Sequence, residues 1–184
     1  MKIFKKIFTA VCLVSTLTAW CQDGSTAYNF LNITSSSRIY GLGGVNITTV
    51  DADDIFTTDQ NPALLGPEMS MNVGLNYMNY VGGSNFAGVR FAHSAGEHAA
   101  WSAGIQYFGY GSIKGTDESG NFTGDFSPKD ISFSGSYSHD FSDRLRGAFR
   151  IKMLYSSYEQ YSAWALATDL GINYFDQDRG LSLS

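Results

Sequence analysis

The alternating stretch at residues 130–155 constrains the fold of this chain more than any other feature. Apolar residues at 131–137 alternate with serines, and after a turn at residues 140–143 the alternation returns at residues 145–155. A period of two predicts a β-strand with one apolar and one polar face. The stretch therefore predicts a β-hairpin whose two sides are chemically different.

The same alternation recurs along most of the chain and predicts an all-β, antiparallel fold. Residues 145–155 also match the roughly 9 to 11 residues with which a tilted strand crosses a bilayer. We therefore predict a transmembrane β-barrel. The chain supplies six of its strands and the start of a seventh: residues 71–77, 87–91, 101–107, 131–137, 145–155, 164–174 and 181–184. Because eight strands is the usual minimum, we expect this to be an N-terminal fragment of a longer protein.

Residues 1–21 have the features of a secretory signal peptide. Three lysines precede an apolar run that ends in Ala19, Trp20 and Cys21, which predicts cleavage before Gln22. Lipidation of Cys21 is the alternative, and the bulky Trp20 fits it poorly. A barrel exported in this way is expected in the outer membrane of a Gram-negative cell.

Charge and cysteine content exclude several classes of function. Cleavage removes three lysines and no acidic residue, which takes the formal net charge from −5 to −8 and disfavours binding to nucleic acid. Both cysteines, Cys12 and Cys21, leave with the signal peptide, which excludes disulfides and thiolate metal sites. No stretch reaches the eighteen apolar residues of a membrane helix. A membrane location would therefore require a closed sheet.

Residues 22–68 do not alternate and predict an irregular segment before the barrel, which occupies residues 69–184. Two motifs in this segment predict turns: the glycine run at Gly41, Gly43 and Gly44, and the Asn61-Pro62-Ala63 element. Pro62 favours the start of a short helical turn. We expect the segment to act as a plug, with residues 46–65 packed within or under the barrel. The glycines would let it lie close to the wall.

The lengths of the connections predict how the strands are oriented. Short connections follow the second, fourth and sixth strands, and longer ones, at 111–129 and 156–162, follow the third and fifth. Outer-membrane barrels place short turns in the periplasm and long loops outside. Aromatic residues near the strand ends then form two predicted girdles, with Trp101, Tyr137 and Tyr174 at the periplasmic rim and Tyr77, Tyr107, Tyr155 and Trp164 at the outer rim.

The polar faces carry several cations whose role has two interpretations. Arg90, Arg146, Arg150 and Lys152 could line an anion-favouring pore, or they could pair with acidic residues such as Asp169. A hairpin loop centred between residues 159 and 160 places residues whose numbers sum to 319 opposite each other. It predicts two facing pairs, Tyr155 with Trp164 on the lipid side and Arg150 with Asp169 in the lumen.

A soluble β-sandwich is the alternative fold, since it also alternates apolar and polar residues, with its apolar face packed inside. The polar faces here are mostly Ser, Gly, Asn and Ala, whereas a solvated sheet normally carries more Lys and Glu. This composition favours the barrel. It predicts that Phe149, Ile151, Leu166 and Leu170 point to lipid.

We predict no catalytic, cofactor-binding or metal site, and no enzymatic activity. His93, His98 and His139 flank turns and have no cysteine to join them in a metal site. The run with Asp51, Asp53 and Asp54 lacks the glycine and the distal glutamate of an EF-hand. The glycine run at 41–44 lacks the preceding strand and following helix of a dinucleotide site.

Short runs in the predicted mature chain are distinctive: YNFLN at 28–32, SR at 37–38, GLGGVN at 41–46, NPALL at 61–65, GIQY at 104–107 and TDESGN at 116–121. Together they resemble the PorQ family, the FadL-like outer-membrane barrels of the type IX secretion system of Bacteroidota. The Asn-Pro-Ala element is shared more widely, including with PorV. Members of the family are longer than this chain, in keeping with the expected fragment.

The resemblance implies a non-enzymatic role in a surface attachment complex. In that complex a PorQ-family barrel anchors PorZ and works with PorV and with PorU, the sortase. A FadL-like channel for hydrophobic small molecules is the alternative function. Such a channel needs an apolar pocket and a gated path, whereas the serine-rich polar faces of this chain favour the anchor.

Overall fold

A computed structural model describes residues 28–48, 53–116, 119–159, 161–176 and 179–184. The predicted signal peptide, its cleavage site and Asp51 lie outside these ranges. The described part of the chain contains the following strands: β1 (Asn72–Asn79), β2 (Asn85–Ser94), β3 (Ala99–Gly109), β4 (Ile113–Thr116), β5 (Phe122–Phe126), β6 (Lys129–Ser142), β7 (Leu145–Tyr158), β8 (Tyr161–Asp176) and β9 (Leu181–Leu183).

Seven of these strands form one sheet in the order β1-β2-β3-β6-β7-β8-β9, and every neighbouring pair is antiparallel. The predicted all-β, antiparallel class is therefore confirmed. Within the described ranges β1 and β9 are the two edges of the sheet. No helix in those ranges has the length and apolar character needed to span a membrane.

The pairing of β7 with β8 follows the register predicted from the hairpin centre. Arg150 lies opposite Asp169 and Tyr155 lies opposite Trp164, so the predicted register is confirmed. The expected loop at residues 156–162 is wrong, because pairing continues until Tyr158 faces Tyr161. Glu159 supplies the sharp turn with a φ of 51°, so the connection is short.

The long connection at residues 111–129 also contains structure that the sequence pattern did not reveal. β4 and β5 pair in it as a separate two-stranded sheet. The amide of Tyr110 donates to the carbonyl of Pro128 at 3.0 Å and closes the base of this hairpin. Part of its predicted tip, residues 117–118, lies outside the described ranges.

The segment before β1 is a succession of short helical turns. Helix α1 (Ser37–Gly41) is followed by 3-10 turns at Ile55–Asp59, Pro62–Leu64 and Pro67–Met69, and another 3-10 turn, Asn29–Asn32, precedes it. Side-chain oxygens of Ser36, Asp54 and Asn61 accept hydrogen bonds from backbone amides at three of the starts. Such caps satisfy amides that lack a partner inside the turn. The turn predicted to begin at Pro62 is confirmed.

The main buried core lies between this segment and one face of the large sheet. Ile55, Phe56, Leu65 and Met69 form one apolar cluster with the small residues Ala92 and Ala100 of the sheet. Phe30 forms a second with residues of β2, β3 and β7: Phe86, Phe108 and Leu154. The N-terminal segment therefore covers the face of the sheet that carries the polar side chains.

Candidate functional site

The face of the sheet that points away from the N-terminal segment is apolar and exposed. Leu75 of β1 is 77% exposed and Leu170 of β8 is 86% exposed. Along the paired rows of the six long strands, the outward positions between residues 73 and 174 carry one charged side chain, Lys129 at the first position of β6. We call this surface the outer face. Its large apolar and aromatic residues include Val73, Leu75, Tyr77, Val89, Phe91, Trp101, Ile105, Tyr107, Ile131, Phe133, Tyr137, Leu145, Phe149, Ile151, Met153, Tyr155, Trp164, Leu166, Leu170, Ile172 and Tyr174.

The opposite, inner face carries charged side chains that are more deeply buried than those apolar ones. Arg90 is 2% exposed and Arg150 is 1% exposed. Both point to the turn at Ile55–Asp59, where Asp59 forms an ion pair with Arg90 and accepts a hydrogen bond from Gln106 Nε2 at 3.0 Å. A buried charge is tolerated only when it is paired and hydrogen-bonded. Asp59 is therefore the residue that makes the buried cations possible.

Arg150 is held from three directions. Its Nε donates to Ser136 Oγ at 2.8 Å, and its Nη1 donates to the carbonyl of Asp59 at 2.8 Å. The carbonyl of Thr58 accepts a further hydrogen bond from Nη2. This guanidinium thus joins the sheet to the backbone of the N-terminal segment.

The predicted pair of Arg150 and Asp169 is present, and it includes a third member. Arg150 Nη1 lies 3.7 Å from Asp169 Oδ2, whereas Lys152 Nζ lies only 2.7 Å from the same oxygen. Asp169 therefore binds Lys152 more closely than it binds Arg150. The structure favours pairing over an anion-favouring pore for these cations. That this face lines a barrel lumen stays a prediction.

Arg146, the fourth predicted cation, is also paired. Its guanidinium bonds both oxygens of Asp140 and both oxygens of Glu68, the latter at 3.1 and 3.3 Å. It also lies 5.7 Å from the ring centre of Phe175. Because Glu68 precedes β1, this contact ties the end of the N-terminal segment to the turn between β6 and β7.

A buried carboxylate near the other end of the strands was not found from the sequence. Asp130 is buried and accepts hydrogen bonds from Tyr110 at 2.7 Å, from Tyr158 at 3.1 Å and from Ser156. Burial and the adjacent hydroxyl and carboxylate raise the pKa of the Tyr110 phenol well above its usual value. The cluster holds the base of the β4–β5 hairpin against β7.

The two predicted plug motifs contact the sheet differently. The Asn61-Pro62-Ala63 element lies against Gly171 of β8, so closely that a β-carbon there would meet Asn61 Oδ1 and would lie 3.1 Å from both Ala63 N and Pro62 Cδ. Gly41, Gly43 and Gly44 have open space around them instead. The expected close packing of these glycines against a wall is therefore wrong.

Backbone conformation explains two of the glycines in that run. Gly43 and Gly44 have φ angles of 102° and 88°, a region that residues with a side chain rarely adopt. Their amides donate to the carbonyls of Tyr40 and Ile39 at 3.2 and 2.9 Å and end helix α1. A glycine just past a helix is the usual way to make this turn.

Four of the seven aromatic residues predicted to form the girdles lie in one paired row. Pairing across six strands places one row in line: Tyr77, Ala87, Tyr107, Ile131, Tyr155 and Trp164. Near the other strand ends Trp101 lies opposite Tyr137, and Tyr174 lies opposite Leu145. The rings of Tyr155 and Trp164 are 4.6 Å apart. Whether these rows lie at membrane surfaces stays a prediction.

The histidines and the aspartate run have structural contacts. His93 Nδ1 lies 3.1 Å from Ser70 Oγ, and its ring stacks on Phe91. Asp54 caps the Ile55–Asp59 turn and accepts from Ser36. Across residues 28–48, 53–116, 119–159, 161–176 and 179–184, no three His, Cys, Asp or Glu side chains are grouped to hold a metal ion.

No known protein family, curated protein or solved structure matches this chain.

Proposed function

We propose that this chain is part of an outer-membrane β-barrel, with the outer face against lipid and the N-terminal segment as a plug on the inner face. The observation that carries this proposal is the inverted burial of the sheet. Its apolar side chains are exposed while its arginines are buried. A soluble antiparallel sheet has the opposite arrangement, with the apolar face in the core.

The exposed apolar area of the outer face favours lipid as its environment. Burying one Leu or Ile side chain is worth about 1.5 to 3 kcal/mol, and Leu166, Leu170 and Ile172 are each more than half exposed. Contact with acyl chains would recover this energy. Hydrocarbon also requires every backbone group to be paired, so the edges β1 and β9 would need partner strands to close the barrel.

Within that class, we propose a non-enzymatic component of the type IX secretion system that resembles the PorQ family. Its role would be to anchor PorZ at the cell surface in a complex with PorU and PorV. The GLGGVN and NPALL runs support this assignment, since they resemble the corresponding runs of that family. An anchor needs a stable barrel and a fixed plug, and the Arg150 contacts to Thr58 and Asp59 provide such a fixed arrangement.

The inner face suits a FadL-like channel for hydrophobic small molecules less well. Its middle rows carry Ser132, Ser134 and Ser136 together with the buried arginines. The inner-face cluster of Phe86, Phe108 and Leu154 is already packed against Phe30 of the N-terminal segment. A channel would have to displace that segment to offer an apolar pocket.

Deletion of the gene in the native cell tests the assignment directly. We expect PorZ to be lost from the cell surface while total PorZ persists, and a tagged copy of the protein to restore it. PorZ, PorU and PorV are expected to copurify with that copy from outer membranes. Surface PorZ that persists in the deletion strain would contradict the anchor role, and a defect in uptake of long-chain fatty acid would indicate the channel.

A further inference from the structure

A small cavity lies between the N-terminal segment and the inner face, next to the buried arginines. It has a volume of about 30 Å³, and its lining includes Thr34, Asp59, Arg90, Arg150 and Lys152. A cavity of roughly 10 to 15 Å³ holds one water molecule. The cavity can therefore hold a halide ion, whereas a sugar acid is too large.

The charges around this cavity do not balance. Arg90, Arg150 and Lys152 contribute three positive charges, whereas their ion-pair partners Asp59 and Asp169 contribute two negative ones. Both arginines are almost fully buried. Among the described residues, one positive charge of this group is thus left without a carboxylate partner, and an uncompensated buried charge strongly destabilises a folded protein.

Two buried donors of the lining also lack a protein partner. Arg90 Nε and Thr34 Oγ1 are both buried, and neither has a hydrogen-bond acceptor within the described residues. The Nε–H group of Arg90 can only donate a hydrogen bond, whereas the Thr34 hydroxyl can either donate or accept one. An anion in the cavity would accept from both and neutralise the excess charge.

We propose that this cavity is a binding site for a small monovalent anion, with chloride as the physiological candidate. The ion stabilises the packing of the plug on the inner face, because its ligands come from both: Thr34 from the N-terminal segment and Arg90 from β2. The bound ion would have a structural role among the ion-paired side chains, and it would not pass through a pore.

The test compares unfolding of the full, folded chain in sodium chloride and sodium gluconate at the same ionic strength. Gluconate matches the charge and cannot enter the cavity. We expect the unfolding midpoint to be higher in chloride. Above the dissociation constant, the folding equilibrium constant should rise about tenfold for each tenfold increase in chloride. Equal midpoints in the two salts would overturn the proposal and leave the cavity to water.

Matched variants assign the effect to the cavity. Lys152→Gln leaves two positive and two negative charges around the cavity. It should therefore abolish the difference in unfolding midpoint between chloride and gluconate. Lys114→Gln, which removes an exposed lysine of β4, should keep it. Asp169→Asn increases the positive excess and should enlarge it.

A chloride effect of unchanged size in Lys152→Gln would also overturn the proposal. Line broadening of the 35Cl signal gives a direct reading of binding. It should be present with the wild type and weaker with Thr34→Val, which removes one donor at nearly constant volume. Equal broadening by both proteins would exclude the Thr34 hydroxyl as a ligand and contradict a site shared by Thr34 and Arg90.

Discussion

Tyr155 and Trp164 face each other across β7 and β8, with their ring centres 4.6 Å apart on the outer face. Trp101 lies on the same face near the opposite strand ends, opposite Tyr137. Trp20 is in the predicted signal peptide, so Trp101 and Trp164 are the two tryptophans of residues 22–184. Their positions give a test of the membrane boundaries.

We expect both tryptophans to lie at membrane interfaces. In bilayers of brominated phospholipids, bromine near the head groups should quench their fluorescence more than bromine at the bilayer centre, because amphipathic rings prefer the interface. Trp101→Phe isolates the signal of Trp164. Stronger quenching from the bilayer centre would show that the girdle is misplaced, and no quenching at any depth would contradict lipid contact.

Single cysteines on the outer face should be protected in membranes. We expect Phe149→Cys, Ile151→Cys, Leu166→Cys and Leu170→Cys to react poorly with a water-soluble maleimide, since acyl chains would cover these positions. Ser142→Cys, at an exposed strand end, is the control and should label readily. Residues 22–184 contribute no cysteine to the background. Rapid labelling at all four positions would contradict the barrel.

Gly171→Ala should loosen the plug. The added methyl group would collide with Asn61 and approach Ala63 and Pro62, and overpacking of this kind costs typically 1 to 3 kcal/mol. Chemical denaturation measures the loss, and hydrogen exchange across residues 61–65 should become faster.

Gly135→Ala is the matched control for that change. Gly135 lies on the outer face of β6 with open space around it, so the substitution should change the free energy of unfolding by no more than about 0.5 kcal/mol. Equal losses for the two variants would show that the Asn61-Pro62-Ala63 element does not pack on β8.

Removing Arg150 should destabilise the protein more than removing Asp169. Arg150→Ala leaves the carbonyls of Thr58 and Asp59 without their donor, and each buried group left unsatisfied costs about 1 to 3 kcal/mol. Asp169 is less buried, and Arg150 keeps its other acceptors when that carboxylate is lost. Denaturant unfolding of the two alanine variants measures the difference.

Double-mutant cycles should then separate the two partners of Asp169. We expect the coupling energy of Lys152 with Asp169 to exceed that of Arg150 with Asp169, because the corresponding N–O distances are 2.7 and 3.7 Å. Additive losses in both cycles would mean that neither ion pair forms. A larger coupling with Arg150 would reverse the order of the two contacts.

The sequence alone determined the strands of the large sheet, their faces and the register of β7 with β8. Side chains in a strand alternate every two residues, so local pattern assigns Phe149 and Ile151 to one face and Arg150 to the other. In a hairpin, the position of the short turn also sets which residues of the two strands lie opposite each other. A single choice of turn centre therefore predicted Arg150 opposite Asp169 and Tyr155 opposite Trp164, both as observed.

The partners of the buried cations were decided only by the tertiary structure. Asp59 meets Arg90 across 31 residues and Arg150 across 91 residues of sequence, and no local period relates such positions. The fit of Asn61 against Gly171 is equally non-local. The reason is physical: alternation assigns a residue to a face, whereas the position of the N-terminal segment depends on packing and charge pairing summed over the whole inner face.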